Sequence, residues 1–382
     1  MIDLREDPLI KKFLRNRELQ KSTETRYLGN LKLYCKFIDK TPTEFIDEAD
    51  FEEDSRIRLR NRKVGNYLLD FREWLNNNNY SEHTKATAMM VVKSLYNEFS
   101  IELPKLRFKK NLPVEDISDI PTKDDIRLAL SYANLKYKAI FLLMTSSGMR
   151  ASDIRALKYS DLLKSLEGYI KLPNKDILNV DVLINTLEES SNELIVPTWK
   201  FIAQKTNTPT ITFCTPEALQ AILIYLKTEP PKNIDEPLFH SNLYKNQKIG
   251  RHGITQYFQR INRKCEFKSR GPLGFFRSHK LRKFFATTLY RKELQQLTID
   301  WLLSHRIDAV TNSYFKLHVE SLKEQYITCI EDLSIEDTEV RVLESEDKKL
   351  LKELQRKVDL LEEADRLRKG REQKLKDLPL LK

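Results

Sequence analysis

Two histidines, an arginine and a tyrosine stand close together in the second half of this chain: His279 and Arg282, then His305, then Tyr314 nine residues further on. A helical spacing of three puts His279 and Arg282 on one face. A tyrosine hydroxyl is a weak nucleophile until cationic donors converge on the group it attacks, and these side chains are such donors. The electrophile that suits them is a phosphodiester. Attack on it passes through a five-coordinate transition state whose non-bridging oxygens carry most of the charge. Carboxylate-held Mg²⁺ is one way to meet that charge, but no acidic triad stands near the histidines. Arginine is the other, because its rigid fork is bidentate to phosphate oxygens and stays charged. We therefore expect neither a metal nor a cofactor.

A further arginine lies upstream in Thr145-Ser-Ser-Gly148-Met-Arg150-Ala-Ser-Asp153, after the apolar run Ala139 to Met144 and the helix-breaking Gly148. Alone, Arg150 reads as half of a surface salt bridge with Asp153. Beside the downstream set it reads as the partner of Arg282 in a phosphate clamp, with Asp153 orienting it.

The order Arg150, Lys205, His279, Arg282, His305, Tyr314 resembles the catalytic set of the tyrosine recombinases, the phage-integrase family, over most of residues 1–330. Within that family the style is similar to prokaryotic and archaeal mobile-element integrases. The resemblance implies metal-free strand exchange on double-stranded DNA recombination sites through a 3′-phosphotyrosyl link, carried out by a homotetramer on paired sites. It implies that a hairpin lysine protonates the leaving 5′ oxygen; Lys205 in Gln204-Lys-Thr is the candidate and Lys200 the competitor. Ser304 stands where the family most often has glycine, and serine prefers a more ordinary backbone angle. Tyr326 competes with Tyr314 as the nucleophile. Rival functions are type IB topoisomerase-like relaxation and a catalytically silent DNA-binding regulator.

Charge supports a nucleic-acid partner. The 382 residues carry a net charge of +10, yet residues 241–290 alone hold twelve lysines and arginines against one acid, Glu266. A solvated face normally alternates signs, so a phosphate-binding surface is expected from Arg251, Arg263, Lys264, Lys268, Arg270, Arg277 and Lys280. Lys105, Arg107, Lys109 and Lys110 make a second basic stretch. Four dispersed cysteines form neither a metal-ligand nor a disulfide pattern. No apolar run reaches membrane-spanning length and the N-terminus lacks signal-peptide character, so a cytoplasmic, nucleoid-associated protein is expected.

The elements that must position these residues read as a mainly α fold with a small antiparallel β-hairpin. Residues 1–103 carry amphipathic stripes: Tyr27, Leu31, Tyr34, Ile38; Val64, Tyr67, Leu68, Phe71, Leu75; and Ala88, Val92, Leu95, Phe99. They predict a four- or five-helix bundle, similar to the family's core-binding domain. Pro104, Pro113 and Pro121 mark a basic linker over 104–121. A catalytic domain is expected over 122–333, opened by a Thr122-x-x-Asp capping box, with strands over 192–204 and 210–214 and a helix restarting at Thr215-Pro216. Residues 334–382 predict a charged helical tail, a possible coiled coil, that contacts protein rather than DNA.

Overall fold

The computed structural model describes residues 4–107, 119–171, 176–189, 194–241, 247–268, 274–305, 307 and 319–336. The chain divides into two compact units, Met1–Glu115 and Asp116–Lys382.

The first unit is built from α1 (Pro8–Arg17), α2 (Lys21–Ile38), α3 (Pro42–Asp54), α4 (Lys63–Asn77) and α5 (Glu82–Glu98). The stripes seen in sequence face inward: Leu31, Tyr34, Leu68, Phe71, Leu75, Val92 and Leu95 are all fully buried. Helix starts are specified locally. Asp7 accepts from the backbone N–H groups of Leu9 and Ile10, and its other oxygen takes the Thr43 hydroxyl at 3.0 Å, tying α1 to the start of α3. Thr41 and Glu44 close a reciprocal capping box. Leu103 and Leu106 pack against this core, so the chain stays with the first unit beyond α5.

In the second unit α7 (Leu135–Ser147) is buried all round, from Ala139 to Ser147 without interruption. A helix apolar on every face belongs at the centre of a fold, and α7 packs between α11 (Pro216–Thr228) and α13 (Ser278–Arg291). Before it, α6 (Lys123–Ser131) opens with the expected capping box, Asp125 accepting from the Thr122 N–H at 2.8 Å. After it come α8 (Ala151–Ile154), α9 (Tyr159–Ser165) and α10 (Val180–Glu189); α12 (Arg251–Lys264) and α14 (Gln296–Leu302) flank α13. Thr215 caps α11, with Pro216 at its first turn.

Strands β1 (Thr198–Ile202) and β2 (Pro209–Phe213) pair antiparallel, with Lys200 opposite Ile211. Both differ from their expected limits. Leu194 to Pro197 run unpaired, Pro209 is drawn into the ladder opposite Ile202, and the turn spans 203–208 because Asn207 adopts φ +52° and the Thr206 and Thr208 hydroxyls bond each other at 2.7 Å. The hairpin hangs on the end of α7 through the Thr212 hydroxyl, which donates to the Ser147 carbonyl at 2.8 Å.

The packed fold also outlasts the expected boundary at 334. Ser334 and Ile335 are buried, and the half-buried Glu217 accepts from the N–H groups of Ile335 and Glu336 at 2.8 and 3.0 Å. Beyond Glu336 the expected tail lies outside the described residues. Among the described residues no helix is long and apolar enough to cross a membrane.

Candidate active site

Helix α7 stops at Gly148, whose φ of +64° suits a residue without a side chain. Space demands glycine as well, since a Cβ there would lie 2.4 Å from the Phe285 ring of α13. The chain leaves this turn in extended form at Arg150 and enters α8. The Arg150 Nη2 donates to the Ser304 carbonyl at 3.3 Å, while its Nη1 lies 3.9 Å from an Asp153 oxygen. Both atoms of that last pair are buried and neither makes a hydrogen bond. Asp153 is 1% exposed, and its other oxygen accepts from the Gln204 N–H at 2.9 Å. One carboxylate thus faces Arg150 and holds the hairpin turn that carries Lys205.

Arg282 enters from α13. It is buried, and it donates to the Gly148 carbonyl at 2.5 Å and to the Leu303 carbonyl. Burial first, and the neighbouring Arg150 charge second, push its pKa down to about 9, against the pull of Asp153; it is cationic at neutral pH. The two arginines knit the turn after α7 to the turn after α14.

His279 lies one turn ahead of Arg282 with its side chain reaching the surface. Desolvation lowers its pKa, and Arg277, Arg282, Lys280 and Lys205 lower it further. Among the two hairpin lysines, Lys205 is therefore the one whose charge reaches His279. It sits exposed in the turn, whereas Lys200 lies exposed on β1.

The turn after α14 presents His305. Ser304 takes φ +53°, not the ordinary angle expected of serine, and two bonds hold it there: Ser304 N–H to Trp301 and His305 N–H to Asp300, each 2.9 Å. This double bond around a left-handed residue is a helix stop that glycine usually supplies. The His305 Nδ1 lies 2.7 Å from the Asp300 carboxylate. Asp300 was not among the residues expected from sequence; its signal, an acid five residues before a histidine at a helix end, has meaning only once the turn is known.

The structure thus brings together Arg150, Asp153, Lys205, His279 and Arg282, with His305 on the turn that receives both arginines. Tyr314 lies outside the described residues, as do Lys109, Lys110 and Arg270. The rival Tyr326 is fully buried, donates to the Ser146 carbonyl at 2.8 Å, and has its pKa raised well above the usual value by burial. A hydroxyl so placed cannot meet a DNA phosphate. Lys105 and Arg107 are exposed in the first unit, and Arg251, Arg263, Lys264 and Lys268 are exposed on or just after α12. Arg277 is half-buried, its Nη1 donating to the Gly274 carbonyl at 3.1 Å. Lys280 corrects the expectation of a surface phosphate contact: it is 5% exposed, with its pKa lowered by burial.

Residues 114–321 match the model of the phage integrase family. Among curated proteins, the chain is 24% identical over 357 residues to a tyrosine recombinase XerC of Rickettsia bellii strain RML369-C, covering 86% of this chain and 98% of that one. Among solved structures, a Tn1549 transposon integrase in complex with transposon right end DNA aligns with a TM-score of 0.50 at 12% identity, covering 85% of this chain and 99% of that one. An XerH site-specific recombinase bound to a palindromic difH substrate aligns with a TM-score of 0.48 at 16% identity, covering 83% and 84%.

Proposed function

The chain belongs to the phage integrase family, the tyrosine recombinases that break and rejoin DNA strands, and from that premise we propose that Tyr314 is its nucleophile on double-stranded recombination sites. The Tyr314 oxygen bonds to the scissile phosphorus and the bond to the 5′ oxygen breaks, leaving a 3′-phosphotyrosyl link. Lys205 gives that oxygen its proton. Reversal by a 5′ hydroxyl of a partner strand restores the phosphodiester. One bond forms for each that breaks, so no nucleotide energy source is required.

The observation that carries this reading is the Arg150 guanidinium, partly exposed and with Nη1 making no hydrogen bond, beside the buried cation of Arg282. Holding two arginine cations side by side is costly in a resting fold. It makes sense where an anion is to be received, and two forks with a single carboxylate near them suit the non-bridging oxygens of a phosphate. Asp153 keeps Arg150 and the Lys205 turn in step, and His279 and His305 supply donors or take up the tyrosine proton. The exposed cations of α12 and, in the first unit, Lys105 and Arg107 bind phosphates of the DNA backbone. Paired sites require several copies, which supports a homotetramer, and the tail beyond Glu336 would serve contacts between proteins.

The test is covalent trapping on a nicked suicide substrate. Wild type should form the adduct with excess EDTA present, and Tyr314→Phe should bind DNA without forming it. Trapping that survives in Tyr314→Phe, or that requires Mg²⁺, would overturn the mechanism. A supercoiled-plasmid relaxation assay beside a two-site assay separates recombination from topoisomerase-like relaxation.

A further inference from the structure

The Asp300–His305 contact goes beyond the six-residue set. Asp300 holds His305 twice: its carbonyl accepts from the His305 N–H at 2.9 Å, and its carboxylate lies 2.7 Å from Nδ1. Between them Ser304 sits at φ +53°, a conformation that costs a serine about 1 kcal/mol and that turns the chain back towards α14. The side chains are 31% and 47% exposed. Ion pairs that open to water add little to stability, so the pairing is poorly explained as a brace for the fold. It does determine which ring nitrogen is left for chemistry. A carboxylate only accepts, so Nδ1 must carry the proton, and Nε2 is the remaining nitrogen.

We propose that Asp300 is a positioning residue which fixes His305 as its Nδ1–H tautomer, so that Nε2 alone faces the reaction. In the neutral ring Nε2 carries a lone pair and accepts a proton. Once it has done so the ring is a cation donating from both nitrogens, its charge offset by Asp300. This rests on the reading of His305 as part of the active site, but the tautomer is measurable without turnover.

The experiment uses the full chain labelled with ¹⁵N at histidine, with His305 identified by its loss in His305→Gln. Long-range ¹H–¹⁵N correlations above pH 8 should show Nδ1–H and bare Nε2 in wild type. Asp300→Ala should move the ring towards the Nε2–H form and slow suicide-substrate cleavage by about 10- to 100-fold, with DNA affinity unchanged. Asp300→Asn, whose amide oxygen still accepts, should keep the tautomer and recover part of the rate. An unchanged tautomer in Asp300→Ala overturns the proposal, and so does a reversed tautomer with a normal cleavage rate. Loss of folding and DNA binding in both variants would reduce Asp300 to a structural brace and overturn it equally. Failure of wild type to form any adduct, with the tautomer as expected, would instead count against Tyr314 chemistry.

Discussion

The two units differ in how their charges are placed. In the first, cations find acids, from exposed Lys63 to buried Lys85: Arg17 with Glu98, Lys40 and Lys63 with Glu48, Arg62 with Glu53, and Arg72 and Lys85 with Glu82. In the second, Arg150, Arg282, His279 and Lys280 crowd together with Asp153 as the buried acid among them. Among the described residues, the buried side-chain atoms left without a hydrogen bond fall in the second unit, Arg150 Nη1, Asp153 Oδ2 and His240 Nδ1, whereas Asp332 Oδ2 has the Lys292 Nζ at 2.5 Å. The second unit has ion pairs of its own, Lys158 with Asp235 and Lys292 with Asp332 among them, but around Arg282 like charges stand adjacent. The contrast is between cations that meet acids in the first unit and a knot of like charges around Asp153 in the second.

The comparison breaks or sharpens under mutation. Phe71 is fully buried among Tyr34, Phe37 and Trp74, so Phe71→Ala should destabilise the first unit by about 3–5 kcal/mol, read as a lowered denaturant midpoint. Arg150→Ala should leave that midpoint nearly untouched and slow cleavage by about two to three orders of magnitude. A large loss of stability with normal cleavage would invert the contrast.

Acid should separate the units more gently. His279 has a lowered pKa in the fold, so the unfolded chain binds its proton more readily and stability falls as pH drops through about 6.5. Glu48, Glu82 and Glu98 also have lowered pKa values: burial, which raises all three and is the largest single cause at Glu48, is outweighed by hydrogen bonds to Lys40, Lys63 and Tyr67 at Glu48, to Lys85 and Arg72 at Glu82, and to Asn16 and Arg17 at Glu98. Their contribution persists until pH falls below the ordinary carboxylate range near about 4.3. Hydrogen exchange followed by peptide should show protection around α13 weakening first. The smallest effect is expected at Ser304, where glycine relieves the left-handed backbone but adds freedom to the unfolded chain. Ser304→Gly should stabilise by about 0.5–1 kcal/mol at most, with cleavage retained.

What the chain reveals before folding is what depends on near neighbours. The stripe of Val64, Leu68, Phe71 and Leu75, the Thr122 capping box and the placing of Lys205 in a turn are local, and the described structure contains them. What it conceals depends on partners far along the chain. That Arg282 would bond the main chain 134 and 21 residues away, or that Lys280 would be buried beside exposed neighbours, is not encoded in any window around them. Asp300 lies between these cases, local in sequence but invisible without the unusual angle at Ser304.

The acceptors that hold Arg282 are carbonyls of the main chain, at Gly148 and Leu303. Every residue type supplies the same carbonyl, so this anchorage is inherited with the path of the chain rather than with particular side chains. A genetic consequence is that Arg282→Glu has no simple suppressor. Where a side-chain acid holds an arginine, reversing both charges can restore the pair; here there is no acid at either anchor to reverse. Selection for revertants should therefore return arginine at 282 itself, and not a compensating lysine elsewhere.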